Sequence, residues 1–278
     1  GVVDGHDVHA LREALAQALE ADRPVVVHCA TVKGKGLASA EQGGLEGMET
    51  WHAAKPGSIV DRAPAPKPAA PPVTKVAVPQ YTQVFGEAMV AEVRRDRRVV
   101  GITAAMNSGT GLNLLQAAEP DHYFDVGIAE QQALLFASGR ALEGLKPVAA
   151  IYSTFLQRAF DQIVHDICLQ ELDVTLAMDR AGLVGDDGPT HHGAFDIAYL
   201  RCLPNITLAA PRDEAQLRHL LRTALTHGGP FGIRYPRGEG VGVELPAEIE
   251  ITPVQVGRGE VLRTGERVAL IGYGTGVQ

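Results

Sequence analysis

Glu130 is the residue of this sequence best suited to catalysis, and it lies in the stretch FDVGIAEQQALLFASG, residues 124–139. Its neighbours are small, apolar or amide-bearing, and a helix so poor in charge is normally buried. A buried carboxylate needs a partner or must be held protonated. The simplest alternative is that the positive N-terminal end of the helix favours an acidic residue there. The residues alone leave both interpretations open.

Other side chains suited to binding and proton transfer follow predicted strands. They are Tyr152, Phe155 and Arg158 in IYSTFLQR, Arg180, Asp187, His191 and His192 in DRAGLVGDDGPTHHG, and Arg237 in RYPRG. A lone arginine is usually part of a solvated ion pair. Two arginines that end separate strands beside glycine suit a phosphate monoester better. The spacing in DGPTHH matches no standard metal motif, so we predict no metal site in this chain.

The elements that must position these residues alternate regularly. Strands are predicted at RVVGITA, KPVAAIY, DVTLAMD, NITLAAP and GPFGIRYP, and helices at 81–94, 127–142, 156–169 and 213–226. This alternation predicts an α/β fold with a mainly parallel sheet and helices on both faces. In such sheets ligands bind beyond the carboxyl ends of the strands.

The ends of the chain follow a different pattern. We predict a helix at 8–21 capped by Asp7, then a buried strand in PVVVHCATV, residues 24–32, and a KGKG loop at 33–36. Residues 61–80 are too rich in proline for a helix or central strand and are predicted to be an extended linker. A second linker is predicted near 238–253, followed by two strands in VQVGRGEVLR and RVALIGYG.

Composition excludes several classes of protein. The chain has 278 residues and a net charge of −8, which argues against nucleic-acid binding because phosphate neutralisation needs a basic face. No apolar run is long enough to span a bilayer. The three cysteines have no zinc spacing and are interpreted as reduced core residues, which predicts a cytoplasmic protein that does not bind membranes.

Taken together, the motifs resemble those of 1-deoxy-D-xylulose-5-phosphate synthases, a thiamine diphosphate-dependent family related to transketolase. The resemblance covers nearly the whole chain and rests on these motifs: DGHD at 4–7, KGKG at 33–36, FDVGIAEQ at 124–131, IYSTFLQRAFDQIVHD at 151–166, DRAGLVGDDGPTHHGAFD at 179–196 and RYPRG at 234–238. It implies condensation of pyruvate with D-glyceraldehyde 3-phosphate, for isoprenoid, thiamine and pyridoxal biosynthesis. It also implies a homodimer.

The resemblance also implies roles for individual residues. Glu130 resembles the glutamate that hydrogen-bonds N1′ of the cofactor's aminopyrimidine, and Phe155, Ile128 and Leu37 would line the cofactor. The acceptor phosphate would be bound by Tyr152, Arg180 and Arg237, with Arg158 nearby. Asp187, His191 and His52 would serve in substrate binding and proton transfer.

The sequence departs from the family pattern in three places. The family usually has tyrosine at the position of Leu37 and histidine at that of Gln132, and its magnesium motif (GDG with a later Asn) does not occur in this chain. The Mg²⁺ ligands are therefore expected outside it. By resemblance, residues 1–60 end a diphosphate-binding domain, 61–80 form a linker, 81–240 form the aminopyrimidine-binding domain and 241–278 begin a third. Two alternatives stay open: a transketolase-like enzyme with altered substrates, and a non-catalytic transketolase-like subunit.

Overall fold

The computed structural model describes residues 1–42, 51 and 78–278, and the chain divides into compact units at 1–74 and 75–278. In the first unit, helix α1 spans Val8–Leu19, and the Asp7 carboxylate accepts hydrogen bonds from the first-turn amides of His9 and Ala10. This confirms the predicted cap. A short helix, α2, follows at Ala38–Gln42. His52 and almost all of the predicted 61–80 linker lie outside the described residues.

The buried strand predicted at 24–32 is wrong. Only Cys29–Ala30 forms a strand, β2, which pairs in parallel with β1 at Val3–Asp4. Val26 is 93% exposed. A continuous apolar run becomes a buried strand only where strands and helices cover it, and within the described part of this unit a two-residue partner offers little cover.

One parallel sheet organises residues 78–278. Its strands are β3 (Val99–Thr103), β4 (Tyr123–Asp125), β5 (Lys146–Tyr152), β6 (Thr175–Asp179), β7 (Thr207–Ala209) and β8 (Phe231–Arg234). Their spatial order is β4-β3-β5-β6-β8-β7, and neighbouring strands are parallel throughout. The five strands predicted in this region are confirmed, whereas the short β4 was not predicted. The chain leaves β3 for β4 on one side and then crosses to β5 on the other, which creates a switch point beside β3 where ligands bind in such folds.

Helices cover both faces of this sheet. They are α3 (Tyr81–Arg95), α4 (Asn107–Thr110), α5 (Leu112–Ala118), α6 (Glu130–Leu142), α7 (Ser153–Leu156), α8 (Phe160–Gln162), α9 (Asp196–Leu200) and α10 (Glu214–His227). One core joins α3 and α10 to the sheet through residues such as Phe85, Leu221 and Ile233. The other core joins α6 to the opposite face through residues such as Leu134 and Ile151. The strands are therefore buried on both faces, as their apolar runs predict.

The helix predicted at 156–169 is broken into short pieces. After α7, a 3₁₀ turn at Gln157–Ala159 precedes α8, and a π-helical turn follows at Ile163–Cys168. Such tightened and widened turns often occur at functional sites. Here the 3₁₀ turn carries Arg158.

The segment expected to be a second linker is fastened to α10. The Glu214 carboxylate at the start of α10 accepts hydrogen bonds from the backbone amides of Val241, Gly242 and Val243, at 2.9, 2.7 and 3.1 Å. Further along the same helix, Arg222 donates to the carbonyl of Ile251 at 3.1 Å. These hydrogen bonds, together with the burial of Ile251, therefore hold a largely exposed segment against the domain.

The two strands predicted after Pro253 are wrong. Residues 254–272 contain no strand in the described chain, and only a 3₁₀ turn at Gly274–Val277 follows. An apolar run forms a strand only when a neighbouring strand satisfies its backbone, and these residues pair with none among those described. The expectation that all cysteines are core residues is also wrong, because Cys168 is buried but Cys29 and Cys202 are exposed. No helix among the described residues is long and apolar enough to cross a membrane.

Candidate active site

Glu130 is the first residue of α6 and is 2% exposed. Asp125 stabilises the turn between β4 and α6, which places Glu130. Its Oδ1 accepts hydrogen bonds from the amides of Ala105 and Gly127, at 2.8 and 2.9 Å. Gly127 has a φ of +74°, a conformation that side chains disfavour. The carboxylate is therefore fixed on the sheet at the switch point beside β3.

Arg158 provides the partner that the buried carboxylate needs. Its Nη1 donates to Glu130 Oε2 at 3.0 Å, while the arginine side chain itself is 56% exposed. The other carboxylate oxygen, Oε1, has no hydrogen bond to the described residues. The resemblance placed Arg158 near the acceptor phosphate, but the structure pairs it with the glutamate.

Three rings form an aromatic cluster after β5. Tyr152 and Phe155 stack with centroids 5.7 Å apart, and His191 packs edge-on against Phe155 at 5.2 Å. Burial raises the pKa of Tyr152 to about 12, so its hydroxyl stays protonated at neutral pH. The cluster combines an apolar surface with two groups that can donate hydrogen bonds.

Arg180 follows β6 directly and is held from several sides. Its guanidinium lies over the Tyr152 ring, 3.8 Å from the centroid, and Nη1 donates to the Gly109 carbonyl at 2.6 Å. A side chain at Gly109 would overlap the Tyr152 hydroxyl, because a Cβ would lie 1.6 Å from that oxygen. Arg180 itself has a φ of +59°, which is uncommon for a residue with a side chain.

Asp187 joins the two predicted phosphate-binding arginines. Its Oδ2 lies 3.1 Å from Nε of Arg180 and 3.1 Å from Nε of Arg237. The loop that carries Asp187 is closed at its base by reciprocal backbone hydrogen bonds between Gly182 and Gly193, at 2.9 and 2.8 Å. Residues from β5, β6 and β8 thus meet at one edge of the sheet.

The remaining predicted residues contribute less to this geometry. His192 Nδ1 accepts a hydrogen bond from the backbone amide of Val184 at 3.2 Å, a contact within the loop. Ile128 is 79% exposed two residues before Glu130. Leu37 belongs to the first unit, residues 1–74. In residues 1–42 and 78–278, no group of three or more metal-ligating side chains is found.

Sequence reasoning missed Asp179, the last residue of β6. Its side chain is fully buried, its Oδ2 accepts a hydrogen bond from Thr82 Oγ1 at 2.7 Å, and its Oδ1 lies 3.2 Å from Arg180 Nη1. Burial raises the pKa of Asp179 to about 6, against the opposing effects of Arg180 and Thr82. The available signal was an acid that ends an otherwise apolar strand directly before an arginine.

Comparison with known proteins identifies the family of the chain. Residues 77–241 match the family model described as transketolase, pyrimidine binding domain. The chain belongs to this transketolase family. A solved split-gene transketolase, an inactive β4 tetramer, superposes with a TM-score of 0.61 at 29% identity, over 72% of this chain and 64% of that one. Transketolase from Leishmania mexicana, at 18% identity and a TM-score of 0.52 over 59% of this chain and 26% of that one, shares the fold.

The transketolase-like chain also has curated relatives of higher identity. It is 51% identical to 1-deoxy-D-xylulose-5-phosphate synthase of Thermosynechococcus vestitus over 99% of its own length and 42% of the relative. The same identity holds for the enzymes of Thermomicrobium roseum, over 100% of this chain and 41% of the relative, and Chlorobaculum tepidum, over 99% and 42%. The chain therefore spans about two fifths of the length of these relatives.

Membership of the transketolase family implies thiamine diphosphate, and the residues fit the pyrimidine end of that cofactor. A buried carboxylate with one oxygen unused by the described residues can accept a hydrogen bond from a ring nitrogen. Phe155, three residues before the arginine that pairs with this carboxylate, offers an aromatic face on which a flat ring can stack.

Proposed function

We propose that this chain is part of a 1-deoxy-D-xylulose-5-phosphate synthase. In that reaction pyruvate loses CO₂, its two remaining carbons join the aldehyde carbon of D-glyceraldehyde 3-phosphate, and a proton completes the new hydroxyl group. The observation that carries the proposal is about 50% identity to such enzymes over nearly the whole chain. The convergence of two arginines on one edge of the site supports a phosphorylated acceptor.

Glu130 is proposed to hold the aminopyrimidine. When bound, thiamine diphosphate supplies the carbon nucleophile and the electron sink for decarboxylation. The carboxylate would share a proton with the ring nitrogen N1′ when the cofactor is bound, while Arg158 fixes the Glu130 side chain through Oε2. The apolar surroundings strengthen that hydrogen bond, because few waters compete for it. Phe155 would stack on the same ring, and Ile128 would add to its apolar lining. For Leu37, a contact with the cofactor is proposed from the family resemblance alone.

The arginines and the loop are proposed to handle the acceptor. Arg180 and Arg237 bind its phosphate, with Tyr152 donating a further hydrogen bond. Because Asp187 Oδ2 lies 3.1 Å from Nε of both arginines and Arg180 Nη1 is used by Gly109 and Asp179, the donors left for the phosphate are Nη2 of Arg180 and the Nη groups of Arg237. Asp187, His191 and His52 serve in substrate hydrogen bonding and proton transfer.

The test is a product assay with the complete natural protein that contains this chain. Pyruvate and D-glyceraldehyde 3-phosphate should yield 1-deoxy-D-xylulose 5-phosphate and CO₂ in equal amounts. Absence of product while ketose-to-aldose transfer proceeds would favour the second candidate, a transketolase-like enzyme with altered substrates. Leu37 and Gln132, which depart from the synthase pattern, are the residues that favour this alternative. A non-catalytic subunit would fail both assays.

The organisation of the whole protein is part of the proposal. Residues 1–60 end a diphosphate-binding domain, 81–240 bind the aminopyrimidine and 241–278 begin a third domain. Mg²⁺ is bound with the diphosphate by residues outside this chain. The protein is cytoplasmic, in keeping with its unpaired cysteines.

We also propose a homodimer. Ile128, Leu135 and Leu142 recur at seven-residue intervals on or beside α6, and their exposures are 79%, 45% and 64%. Seven-residue spacing places apolar side chains on one side of a helix. Such an exposed apolar row beside a binding site suits contact with a second subunit.

A further inference from the structure

Asp179 lies behind Arg180 in a position that no ligand could reach. It is fully buried at the end of β6, and its two oxygens point to different partners: Oδ1 to Arg180 Nη1 at 3.2 Å and Oδ2 to Thr82 Oγ1 at 2.7 Å. A buried carboxylate is costly unless such partners satisfy it. Its position therefore depends on both the arginine and the threonine.

Thr82 belongs to the first turn of α3, where the chain enters the domain. The backbone just before Thr82 is bound to the residues that follow Arg237: the amide of Tyr81 donates to the carbonyl of Gly238 at 3.0 Å, and the amide of Gly240 donates to the carbonyl of Pro79 at 2.9 Å. Residues 79–82 therefore contact Asp179, which pairs with Arg180, and Gly238, which directly follows Arg237.

The contacts of Arg180 fix the orientation of its guanidinium group. Nη1 is used by Gly109 and Asp179, and Nε is used by Asp187. In the described part of the chain, Nη2 has no hydrogen-bond partner. A strained backbone and a stacked ring restrict the side chain further, since Arg180 has a φ of +59° and lies over Tyr152. Nη2 is consequently the donor presented to an anion.

We propose that Thr82 and Asp179 are positioning residues that aim the guanidinium of Arg180 at the phosphate of the acceptor. The inference rests on the proposed function for the identity of that phosphate. Neither residue touches the substrate; each acts through the arginine. A long side chain held in one orientation binds an anion with less loss of conformational freedom.

The decisive variants are Thr82→Val, which removes the hydroxyl at nearly constant shape, and Thr82→Ser, which retains it. Thr226→Val is the matched control, because its Oγ1 contacts only carbonyls of its own helix, those of Arg222 and Thr223. In the complete protein, Thr82→Val should raise KM for D-glyceraldehyde 3-phosphate by about tenfold, the scale of one buried hydrogen bond. Its kcat and its KM for unphosphorylated glyceraldehyde should stay within about twofold, and Thr82→Ser should restore the wild-type KM. Equal effects on both aldehydes would overturn the proposal.

A second measurement separates this inference from the proposed reaction. Inorganic phosphate should raise the Tm of the wild-type protein, and Thr82→Val should weaken this stabilisation while Thr82→Ser retains it. Asp179→Asn, which keeps the side-chain volume, should behave like Thr82→Val. If the wild type makes no product but shows this pattern, the proposed function fails and the positioning role stands. An equal phosphate response in wild type and in both of the variants predicted to weaken it overturns the positioning role whatever the turnover.

Discussion

Arg158 Nη1 and Glu130 Oε2 lie 3.0 Å apart, joining a side chain that is 56% exposed to one that is 3% exposed. The pair explains how a carboxylate persists at the start of an apolar helix. It also leaves the second carboxylate oxygen without a hydrogen-bond partner among the described residues.

Replacing Glu130 by glutamine should stop cofactor activation while the fold stays intact. The amide cannot share a proton with N1′, so exchange of the C2 proton of bound thiamine diphosphate should slow about a hundredfold or more. NMR of quenched exchange reactions in the complete protein measures this rate. Glu143→Gln, at the exposed end of the same helix, is the control and should exchange at the wild-type rate. An unchanged rate in the Glu130 variant would refute the assignment.

Arg158→Ala should impair the reaction equally with phosphorylated and unphosphorylated aldehydes. The substitution leaves the Glu130 carboxylate without its described partner, so the defect lies at the cofactor and not at the acceptor phosphate. Steady-state kinetics with D-glyceraldehyde 3-phosphate and glyceraldehyde decide between the two sites. A selective loss with the phosphorylated aldehyde would return Arg158 to the phosphate site.

Arg180→Ala and Arg237→Ala should show the opposite selectivity. Each charge-assisted contact to the phosphate is worth roughly 1.5–3 kcal/mol, which corresponds to about a ten- to hundredfold loss in kcat/KM for the phosphorylated aldehyde. Pyruvate use and activity with glyceraldehyde should change little. Arg258→Ala, at an arginine whose described hydrogen bond is to Gln255, provides the control. Equal losses on both aldehydes would mean that the two arginines serve the fold.

Asp179→Asn should change the pH dependence of stability. Burial raises the pKa of Asp179 to about 6 from 3.8, although Arg180 and the Thr82 hydroxyl oppose this, and Tyr152 and Tyr235 also face its charge. Between these values the folded chain keeps a proton that the unfolded chain has released, so wild-type stability falls as pH rises. The loss is at most roughly 3 kcal/mol, and the asparagine variant lacks it.

Urea unfolding of both forms at several pH values between 4 and 7 measures this effect. The free energy of unfolding of the variant, relative to wild type, should increase with pH across that window. Asp121→Asn, at an exposed position, should run parallel to wild type. Parallel curves for Asp179→Asn as well would show that its carboxyl group titrates alike in both states.

The 278-residue chain alone should bind thiamine diphosphate weakly, even with Mg²⁺. The diphosphate carries most of the cofactor's charge, and we have proposed that its ligands lie outside this chain. The ring contacts at Glu130 and Phe155 must then offset the whole entropy of immobilisation. Isothermal titration of the chain with both components is the measurement, and micromolar affinity would contradict the proposal.

The apolar pattern predicted the central helices and strands because these strands are buried on both faces and the helices on one. Helix α3 and strands β3, β5, β6 and β8 agree with the apolar patterns to within a few residues. The three-residue β4 was missed because its sequence, YFD, is short and half polar. The strand expected at 24–32 was wrong for the converse reason. Its sequence is apolar, but burial of a strand also requires neighbouring strands and helices, which the apolar pattern does not predict.

The sequence predicted where the candidate site residues lie in the fold, but not the contacts between them. Glu130, Arg180, Asp187 and Arg237 are all drawn to one edge of the sheet, as expected for residues that follow parallel strands. The pairing of Arg158 with Glu130 was not foreseen, because it joins two separate helical segments 28 residues apart. Asp179 escaped notice because a strand-ending acid gives no sign of the threonine, 97 residues away, that completes its environment.

The attachment of residues 241–251 to α10 has a mechanical consequence. A pulling force applied to the chain beyond Val254 must first break the hydrogen bonds that side chains of α10 make to Val254, Thr252, Ile251 and Pro246. It then meets the three amides bound to the Glu214 carboxylate. Only after those contacts and the backbone hydrogen bonds between 238–240 and 79–81 break would tension reach Arg237. Motion of the chain beyond this segment is therefore transmitted only weakly to Arg237, and it changes the geometry of the candidate site little.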